Sequence, residues 1–515
     1  MKIILLSVLD GVDNIGARKV GAYMKTLADD VEILFLVPGQ NRSMISVLLM
    51  EGEKELEGQE ITAIAQELMG ADIIGFSSMT GYAHLVKQIV QTIKRTPKRP
   101  YLIWGGIHPI VEPHDAILEV DAICTGEGEF AFEFFFKKFK NSENFYDTPG
   151  FWFNTPDGIR KNGNLPLMTN QMMSDLPFMV YQDHEKIYKK GLGFVEMQTL
   201  DFVKYGGVAY LTVFSIGCPL KCNYCSNTAF LDHDINYRKL RYPSVSYIIN
   251  EVKRVVEKQP FISTIIFTDD SFMAIKTEVL REFAKMYKEE INLPFVVAGI
   301  IPTYVREDKV QILIAAGMKR VRMGIQSGSD RILSFYKRPT PVRSIKTATQ
   351  ILSKFSSNLV DPAYDMILDN PVEKTEDTIA TLDMIYDFPR PFTLNIFSLR
   401  VLPNTPLAQD MAEAGVDINL LNYGNYWRTI PSLGNCLIYL FIVYKPPLKL
   451  YNMLKKHVKP SHHKQPLFPV TMIILRLLFL GKRAISHLIR GDFSNLPGVG
   501  FYYWWLCKSY FKKSN

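Results

Sequence analysis

The sequence predicts an α/β protein in three parts: a doubly wound N-terminal sheet, a (β/α)6 partial barrel and a basic, mostly helical C-terminal region. The first two parts are predicted because short apolar runs alternate with amphipathic helical stretches through residues 1–140 and again through residues 206–410. That alternation is the pattern of parallel βαβ units. The third part is predicted because Lys and Arg are concentrated in residues 411–515, where the apolar runs are short.

Residues 1–140 contain five apolar runs that predict strands, at 2–7, 31–36, 71–77, 101–106 and 121–126, with helices near 17–29, 61–70, 82–95 and 127–140. We expect a flavodoxin-like sheet, which binds ligands at the carboxyl ends of its strands. Glycine at such an end lets a ligand approach the backbone closely. The candidate ligand-binding residues at these ends are Ser77, Ser78, Thr80, Gly105, Gly106, His108, Gly126, Glu127 and Gly128.

Residues 141–205 look irregular, with turn residues at 156–158 and 162–163. We expect them to form a hairpin and a connecting segment. In residues 206–410, six apolar runs predict strands, and helices are predicted at 244–258, 276–289, 306–316, 341–357 and 375–387. Such a barrel places its chemistry at the carboxyl ends of the strands.

Residues 411–515 differ in charge from the rest of the chain. Thirteen Lys and Arg and one acid, Asp492, follow residue 444, whereas residues 1–444 carry a net charge of −5. The apolar runs Cys436–Tyr444 and Val470–Leu480 are shorter than the roughly 20 residues that span a bilayer. The charge and the aromatic run 501–506 favour a segment on an anionic membrane surface, with a basic helical domain that has its own core as the alternative. No nucleic acid is expected, because the body is acidic and carries no recognition motif.

Three of the six cysteines, Cys218, Cys222 and Cys225, lie within eight residues, directly after the first strand of the predicted barrel. Thiolates bind iron in Fe–S clusters, and a cubane with three protein ligands keeps one iron open for another molecule. A structural zinc site, which needs a fourth Cys or His, and three incidental core thiols are the alternatives. The clustered thiols and an N-terminus without a secretory signal favour the reducing cytoplasm.

The spacing of these cysteines, with Tyr224 before the last one, resembles the CxxxCxxC signature of radical S-adenosylmethionine (SAM) enzymes. The segments 105–109 and 126–129 resemble the cobalamin-dependent (class B) group, and the similarity extends over about 400 residues. The resemblance implies a 4Fe-4S cluster on the three cysteines, SAM, and cobalamin on the candidate residues of the first domain. It assigns no catalytic residue beyond the cluster ligands, and it implies SAM contacts by Tyr224, Asp269, Asp270, Gln326, Ser327 and Arg400.

Three features depart from the family's pattern. Residues 10–16 lack the histidine that ligates cobalt in other cobalamin proteins, so we expect no protein ligand to cobalt. Gln326 stands where relatives have Glu, and Asp369 stands where they have Gly. Helix capping is an alternative role for Asp269 and Asp270, and a structural or solvent-exposed position is the alternative for Arg400.

The resemblance implies an enzyme in which the cluster and SAM form a 5′-deoxyadenosyl radical, with a reductant such as flavodoxin or ferredoxin. We predict methylation of an unactivated carbon. A radical cyclisation, oxidation or C–C bond formation is the first alternative, and a non-catalytic cobalamin-binding scaffold is the second. The basic tail favours a hydrophobic, lipid- or isoprenoid-like small molecule as substrate and a peripheral position at the inner face of the membrane.

Overall fold

A computed structural model describes residues 1–38, 56–401, 405–418, 429–492 and 494. The described chain forms two compact units, the first from Met1–Val208 with Ala229–Tyr237, and the second from Ala209–Thr228 with the described residues from Arg238 onward. Four features singled out in the sequence lie outside the described residues: the aromatic run 501–506, Cys507, the last three lysines, and the segment 402–404 after Arg400.

The first unit is built on a nine-stranded sheet in the order β7-β6-β5-β4-β3-β1-β2-β8-β9. Strands β1 to β5 are parallel to one another. The strands are β1 Lys2–Val8, β2 Asp30–Leu36, β3 Ile73–Ser78, β4 Tyr101–Gly105, β5 Ala122–Cys124, β6 Phe151–Thr155, β7 Gly158–Lys161, β8 Lys186–Lys189 and β9 Gly193–Glu196.

Helices cover both faces of this sheet. Ile4 and Leu6 point to a core shared with the helices Gly58–Leu68 and Ala83–Lys94. Their neighbours Ile3 and Leu5 point to the opposite core, shared with Ile15–Leu27 and Gly128–Lys140. Burial on both faces explains why these strands read as continuous apolar runs, and it confirms the doubly wound prediction. The remaining helices of the unit are Ile107–Val111, Pro113–Ile117, Asn170–Asp175 and Thr199–Gly206.

The residues predicted to connect the two domains instead extend both edges of the first sheet. Strands β6 and β7 form the expected hairpin, which pairs antiparallel with β5, while β8 pairs parallel with β2. A buried ion pair holds this segment: Arg18 Nη1 lies 2.6 Å from Glu185 Oε1, and both side chains are 1% exposed. Arg18 also donates to the carbonyls of Val12 and Val180. Strands β8 and β9 escaped prediction because each is only four residues long and half of its residues are not apolar.

The second unit contains a six-stranded parallel sheet in the order β10-β11-β12-β13-β14-β15. Because chain order and spatial order coincide and helices separate the strands, the arrangement confirms the (β/α)6 partial barrel. The strands are β10 Ala209–Thr212, β11 Thr264–Phe267, β12 Phe295–Ile300, β13 Met318–Gln326, β14 Ala363–Leu368 and β15 Thr393–Ser398. The helices are Val245–Lys258, Thr277–Glu290, Glu307–Ala316, Asp330–Phe335, Val342–Ser353, Thr375–Tyr386 and Pro406–Glu413, and Asn227–His233 follows the cysteines.

The C-terminal region is helical where it is described, as predicted, with helices Leu433–Val443, Leu448–Lys455 and Pro469–Ile489. The first of these is almost wholly buried, including Leu437, Ile438 and Phe441 at 2% exposure or less. This apolar run therefore belongs to a protein core. None of the described helices is both long enough and apolar enough to cross a membrane.

Candidate active site

The three cysteines lie in the loop that follows β10, at the carboxyl end of the first barrel strand. Cys222 is 6% exposed, and Cys218 and Cys225 are half-buried. The backbone N–H of Cys225 donates to the carbonyl of Cys222 at 3.1 Å, which turns the loop tightly between these two residues. All three thiols are unpaired by disulfides and are available as ligands.

Burial raises the pKa of Cys218 to about 11 and that of Cys225 to about 12. The neighbouring thiols and Asp270 act in the same direction on both residues. Iron binds the thiolate, so cluster binding must displace these protons. When iron is bound, the site therefore holds several negative charges close together. These charges favour a positively charged metal centre.

The cysteine loop supplies ligands of the kind that a 4Fe-4S cubane needs. Within the described residues, no three His, Cys, Asp or Glu side chains converge so as to hold one metal ion. In a cubane each thiolate binds a different iron, so three thiols in one loop supply three of the four ligands.

Arg338 is the main site residue that the sequence reasoning missed. It is 7% exposed, and its Nη1 donates to Cys222 Sγ at 3.6 Å and to the Tyr224 hydroxyl at 3.2 Å. Its Nη2 donates to the carbonyl of Gly324 at 2.6 Å. The neighbours that raise the pKa of Arg338 are Tyr224 and Cys222, not a carboxylate. Its Nε has no hydrogen-bond partner among the described residues.

A buried charge without a counter-charge is energetically costly. The Arg338 guanidinium, which has no carboxylate beside it among the described residues, is therefore suited to bind an anionic group. The thiolates of a loaded cluster and the carboxylate of SAM both supply that charge. No local pattern points to this residue, since Lys337-Arg338-Pro339 is typical of a basic surface loop.

The structure separates the two aspartates predicted to contact SAM. Asp269 is 2% exposed and accepts hydrogen bonds from the backbone N–H groups of Phe214 and Ser215 and from the Ser215 hydroxyl. Its carboxylate thus ties the end of β11 to the end of β10, and burial raises its pKa to about 6. Asp270 instead interacts electrostatically with Cys218 and Cys225, so it is the carboxylate that faces the cysteine loop.

Tyr224, Gln326 and Ser327 lie at the end of β13 or beside it. Tyr224 packs edge-on against Tyr336 at 5.1 Å and accepts from Arg338. Gln326 has a positive φ of 65° and lies beside Gly324, close to Arg338. Ser327, by contrast, is 1% exposed and accepts from the backbone N–H of Ser329. Gln326 therefore lies among the side chains near the cysteine loop, whereas the Ser327 hydroxyl stabilises its own turn.

Asp369, which replaces the family's glycine, adopts a positive φ of 62°, as glycine would. Its buried carboxylate accepts from the backbone N–H of Ile430 at 2.9 Å and from Asn435 Nδ2 at 2.8 Å. It therefore attaches the C-terminal region to the end of β14. Arg400 interacts electrostatically with this carboxylate and donates to its own neighbour's carbonyl, that of Leu399.

Asn223 stabilises the cysteine loop through buried hydrogen bonds. It is fully buried, and its Nδ2 donates to the carbonyl of Phe335 at 2.8 Å and to Asp410 Oδ2 at 2.6 Å. Asp410 also pairs with Lys337 at 3.0 Å. The helix Pro406–Glu413 thus fixes the loop that carries Cys222 and Cys225.

In the first unit, β1 lies between β2 and β3, which is the switch point where doubly wound sheets bind ligands. Asn14 Nδ2 donates to Ser7 Oγ at 2.9 Å and to Ser77 Oγ at 3.3 Å. Ser78 Oγ accepts from Trp104 Nε1 at 3.0 Å. Ser77 and Ser78 therefore stabilise this edge of the sheet through hydrogen bonds to Asn14 and Trp104. Asn14 lies in the region where other cobalamin proteins carry a histidine.

Glycines and one threonine line the same edge. Gly106 has φ 88°, and a Cβ there would lie 2.9 Å from the Ser78 carbonyl oxygen, so only glycine fits the turn beside Gly105. Thr80 Oγ1 is buried and has no hydrogen-bond partner within the described part of the chain. An orphaned hydroxyl beside a glycine turn at the switch point fits contact with a polar group of bound cobalamin.

His108 is 2% exposed, with Nε2 3.0 Å from Asp115 and its ring 4.7 Å from that of Trp104. Burial lowers its pKa. It supports the loop from inside and presents no nitrogen at the surface. Glu127 likewise bonds inside the unit, accepting from the backbone N–H of Met168 at 2.7 Å, and the last two candidates, Gly126 and Gly128, pack closely against Asn164 and Val20.

Comparison with known proteins finds two family models that match the chain. Residues 1–135 match the family model of the B12 binding domain, and residues 212–385 match that of the radical SAM superfamily. The two matches define a radical SAM protein with a B12-binding domain. The chain belongs to the cobalamin-dependent radical SAM proteins, and its cofactors are a 4Fe-4S cluster, SAM and cobalamin.

Two solved structures share the fold. The radical SAM methyltransferase TsrM from Kitasatospora setae, with cobalamin and a 4Fe-4S cluster bound, is 15% identical with a TM-score of 0.61, covering 80% of this chain and 75% of TsrM. The cobalamin-dependent radical enzyme OxsB, with aqua-cobalamin and SAM bound, is 14% identical with a TM-score of 0.62, covering 98% of this chain and 84% of OxsB.

A curated relative has a different reaction in its name. The anaerobic magnesium-protoporphyrin IX monomethyl ester cyclase of Synechocystis sp. (strain ATCC 27184 / PCC 6803 / Kazusa) is 22% identical over 286 residues. The match spans 54% of this chain and 52% of the cyclase, about half the length of each. The names of these similar proteins thus describe different reactions.

Proposed function

We propose that this radical SAM enzyme methylates an unactivated carbon of a hydrophobic, lipid- or isoprenoid-like substrate. The observation that carries the proposal is the cysteine loop with three thiols and the buried Arg338, in a chain that also has a B12-binding domain. Similarity of fold to the methyltransferase TsrM supports it. The basic, apolar C-terminal region supports a hydrophobic substrate.

When bound, the cluster and SAM supply a hydrogen-abstracting 5′-deoxyadenosyl radical and cobalamin supplies a transferable methyl group. The three cysteines would hold the cluster, with Asn223 fixing their loop. Asp270, Gln326 and Arg338 are the polar side chains best placed to bind the charged ends of SAM. Thr80 and the glycine turn at 105–106 would contact cobalamin.

Radical cyclisation, oxidation or C–C bond formation is the second candidate, and the curated cyclase favours it. A non-catalytic cobalamin-binding scaffold is a weaker candidate, because the cysteine triad and its buried supports are intact. In either enzymatic case we propose a low-potential reductant such as flavodoxin or ferredoxin and a location in the reducing cytoplasm, where three unpaired thiols persist.

The test is anaerobic reconstitution of the full chain with iron, sulfide, SAM, hydroxocobalamin and a low-potential chemical reductant such as dithionite, followed by mass spectrometry. We expect both 5′-deoxyadenosine and S-adenosylhomocysteine, because methylation consumes SAM in two ways. Deoxyadenosine without S-adenosylhomocysteine would favour the cyclase-type reaction. Neither product would favour the scaffold.

The matched variants are Cys222→Ala and Cys436→Ala. Both thiols are buried, at 6% and 3% exposure, but only Cys222 lies in the triad. We expect Cys222→Ala to lose bound iron and both products, whereas Cys436→Ala keeps them. Equal losses in the two variants would contradict the assignment of the cluster ligands.

A further inference from the structure

The helix Pro469–Ile489 exposes a continuous aliphatic surface. Eight of its large aliphatic side chains are between 53% and 77% exposed. We call this surface the apolar helix face, and it consists of Val470, Ile473, Ile474, Leu477, Leu478, Ile485, Leu488 and Ile489. The spacing of three and four residues places these side chains along one side of the helix.

The charged residues of the same helix point toward the protein. Lys482 Nζ donates to the carbonyl of Ile442 at 2.6 Å, and Arg483 Nη1 donates to Asn395 Oδ1 at 3.0 Å. Burial lowers the pKa of Arg476. The other exposed residues of the helix are Thr471, Gly481 and Ala484, so its exposed side carries no charge. A helix on an ordinary protein surface has the reverse arrangement.

The helix is held in place by packing on its inner side. Met472 and Phe479 are 6% and 7% exposed, and the Phe479 ring lies 5.8 Å from that of Tyr439 in the buried helix Leu433–Val443. At about 1.5 Å per residue, its 21 residues extend for roughly 30 Å. Contiguous apolar surface of this extent is uncommon on monomeric soluble proteins and marks an interaction site.

We propose that the apolar helix face inserts, parallel to the membrane plane, into the surface of a bilayer that contains anionic lipids. Charge complementarity decides between a membrane and a second copy of the chain. Outside the helix Pro469–Ile489, seven Lys and Arg and one acid lie between residues 445 and 492. Two such regions meeting face to face would repel each other, whereas anionic headgroups attract each of them.

Exposed lysines are available for that attraction. Lys449, Lys456, Lys459 and Lys464 are exposed in the segment that precedes the helix. Leu448, Met453 and Leu467, which are 55% to 86% exposed, alternate with them. Mixed basic and aliphatic exposure is typical of segments that lie at the boundary of headgroups and acyl chains.

The experiment is flotation of the full-length protein with vesicles of equal parts phosphatidylcholine and phosphatidylglycerol, compared with vesicles of phosphatidylcholine alone. The variant Ile474→Glu/Leu478→Glu places two charges on the apolar helix face. Leu118→Glu/Leu192→Glu is the matched control, because these leucines are 65% and 72% exposed on the first unit. Thermal unfolding checks that both variants remain folded, and the milder Ile474→Ala/Leu478→Ala serves if the charged variant does not fold.

We expect the wild type and the control to float with the anionic vesicles and less with the neutral ones. The charged variant should lose about a hundredfold or more in partition coefficient, since two aliphatic side chains buried in the bilayer each contribute at least about tenfold. Equal flotation of all variants, or no flotation of the wild type, would overturn the proposal. So would a wild-type dimer that the charged variant converts to monomers, because the face would then be a self-interface.

Discussion

Replacing Glu373 by Gln tests the buried carboxyl network at the carboxyl end of β14. Glu373 is 5% exposed and accepts a hydrogen bond from the Ser461 hydroxyl, which joins the barrel to the C-terminal region. Burial is the main cause that raises its pKa from 4.5 to about 8, and the carboxylates of Asp369 and Asp377 add to it while Arg331 opposes it.

The sign of the pH dependence follows from this pKa. The unfolded chain releases the proton near the ordinary pKa of 4.5, and the folded protein releases it only near about 8. Between these values the folded state holds a proton that the unfolded state has lost, so stability falls as pH rises. A tenfold change in an ionisation constant corresponds to about 1.4 kcal/mol, so ionised Glu373 costs the folded state up to about 5 kcal/mol above about pH 8.

Glutamine keeps the shape and the acceptor oxygen but cannot ionise. We therefore expect the thermal midpoints of wild type and Glu373→Gln to agree near about pH 5 and to separate by about pH 9, with the variant higher. Glu376→Gln is the matched control, because Glu376 is exposed in the first turn of the helix Thr375–Tyr386, which begins two residues after Glu373. A difference in thermal midpoint between wild type and Glu373→Gln that does not change with pH, or a variant that is less stable in alkali, would contradict a raised pKa for Glu373.

Three further substitutions test the sites and the fold. Arg338→Met should lower 5′-deoxyadenosine formation more than about tenfold, with Arg338→Lys restoring it only in part, because one ammonium cannot reproduce the forked contacts; wild-type rates in the Met variant would contradict this. Gly106→Ala should cost about 1–3 kcal/mol of stability and weaken hydroxocobalamin binding in an absorbance titration, whereas Gly81→Ala, which has open space around it, should change neither. Glu185→Ala should lower the free energy of unfolding, measured in urea, by about 3–5 kcal/mol, because Arg18 is left buried and unpaired. Arg18→Met/Glu185→Met should lower it by less. A larger loss in the double variant would argue against the ion-pair explanation.

The amino-acid sequence was enough to predict the positions of strands β1 to β5 and β10 to β15 and of the cysteine loop. Both are local signals. A strand buried on two faces needs a continuous apolar run, and an open-iron cluster needs its thiols close together in the chain. The short strands β6 to β9 gave no such signal, since they complete sheet edges and need fewer apolar residues.

Only the tertiary structure decided which side chains face the cysteines and which apolar helix is buried. Arg338 reaches Cys222 across 116 residues of sequence, and Asp269 and Asp270 are adjacent in sequence but differ in their partners. The apolar runs of the C-terminal region look alike in sequence, yet Leu433–Val443 is covered by neighbouring helices while Pro469–Ile489 exposes its aliphatic side. Burial and pairing depend on packing between distant segments, and local periodicity carries no information about that packing.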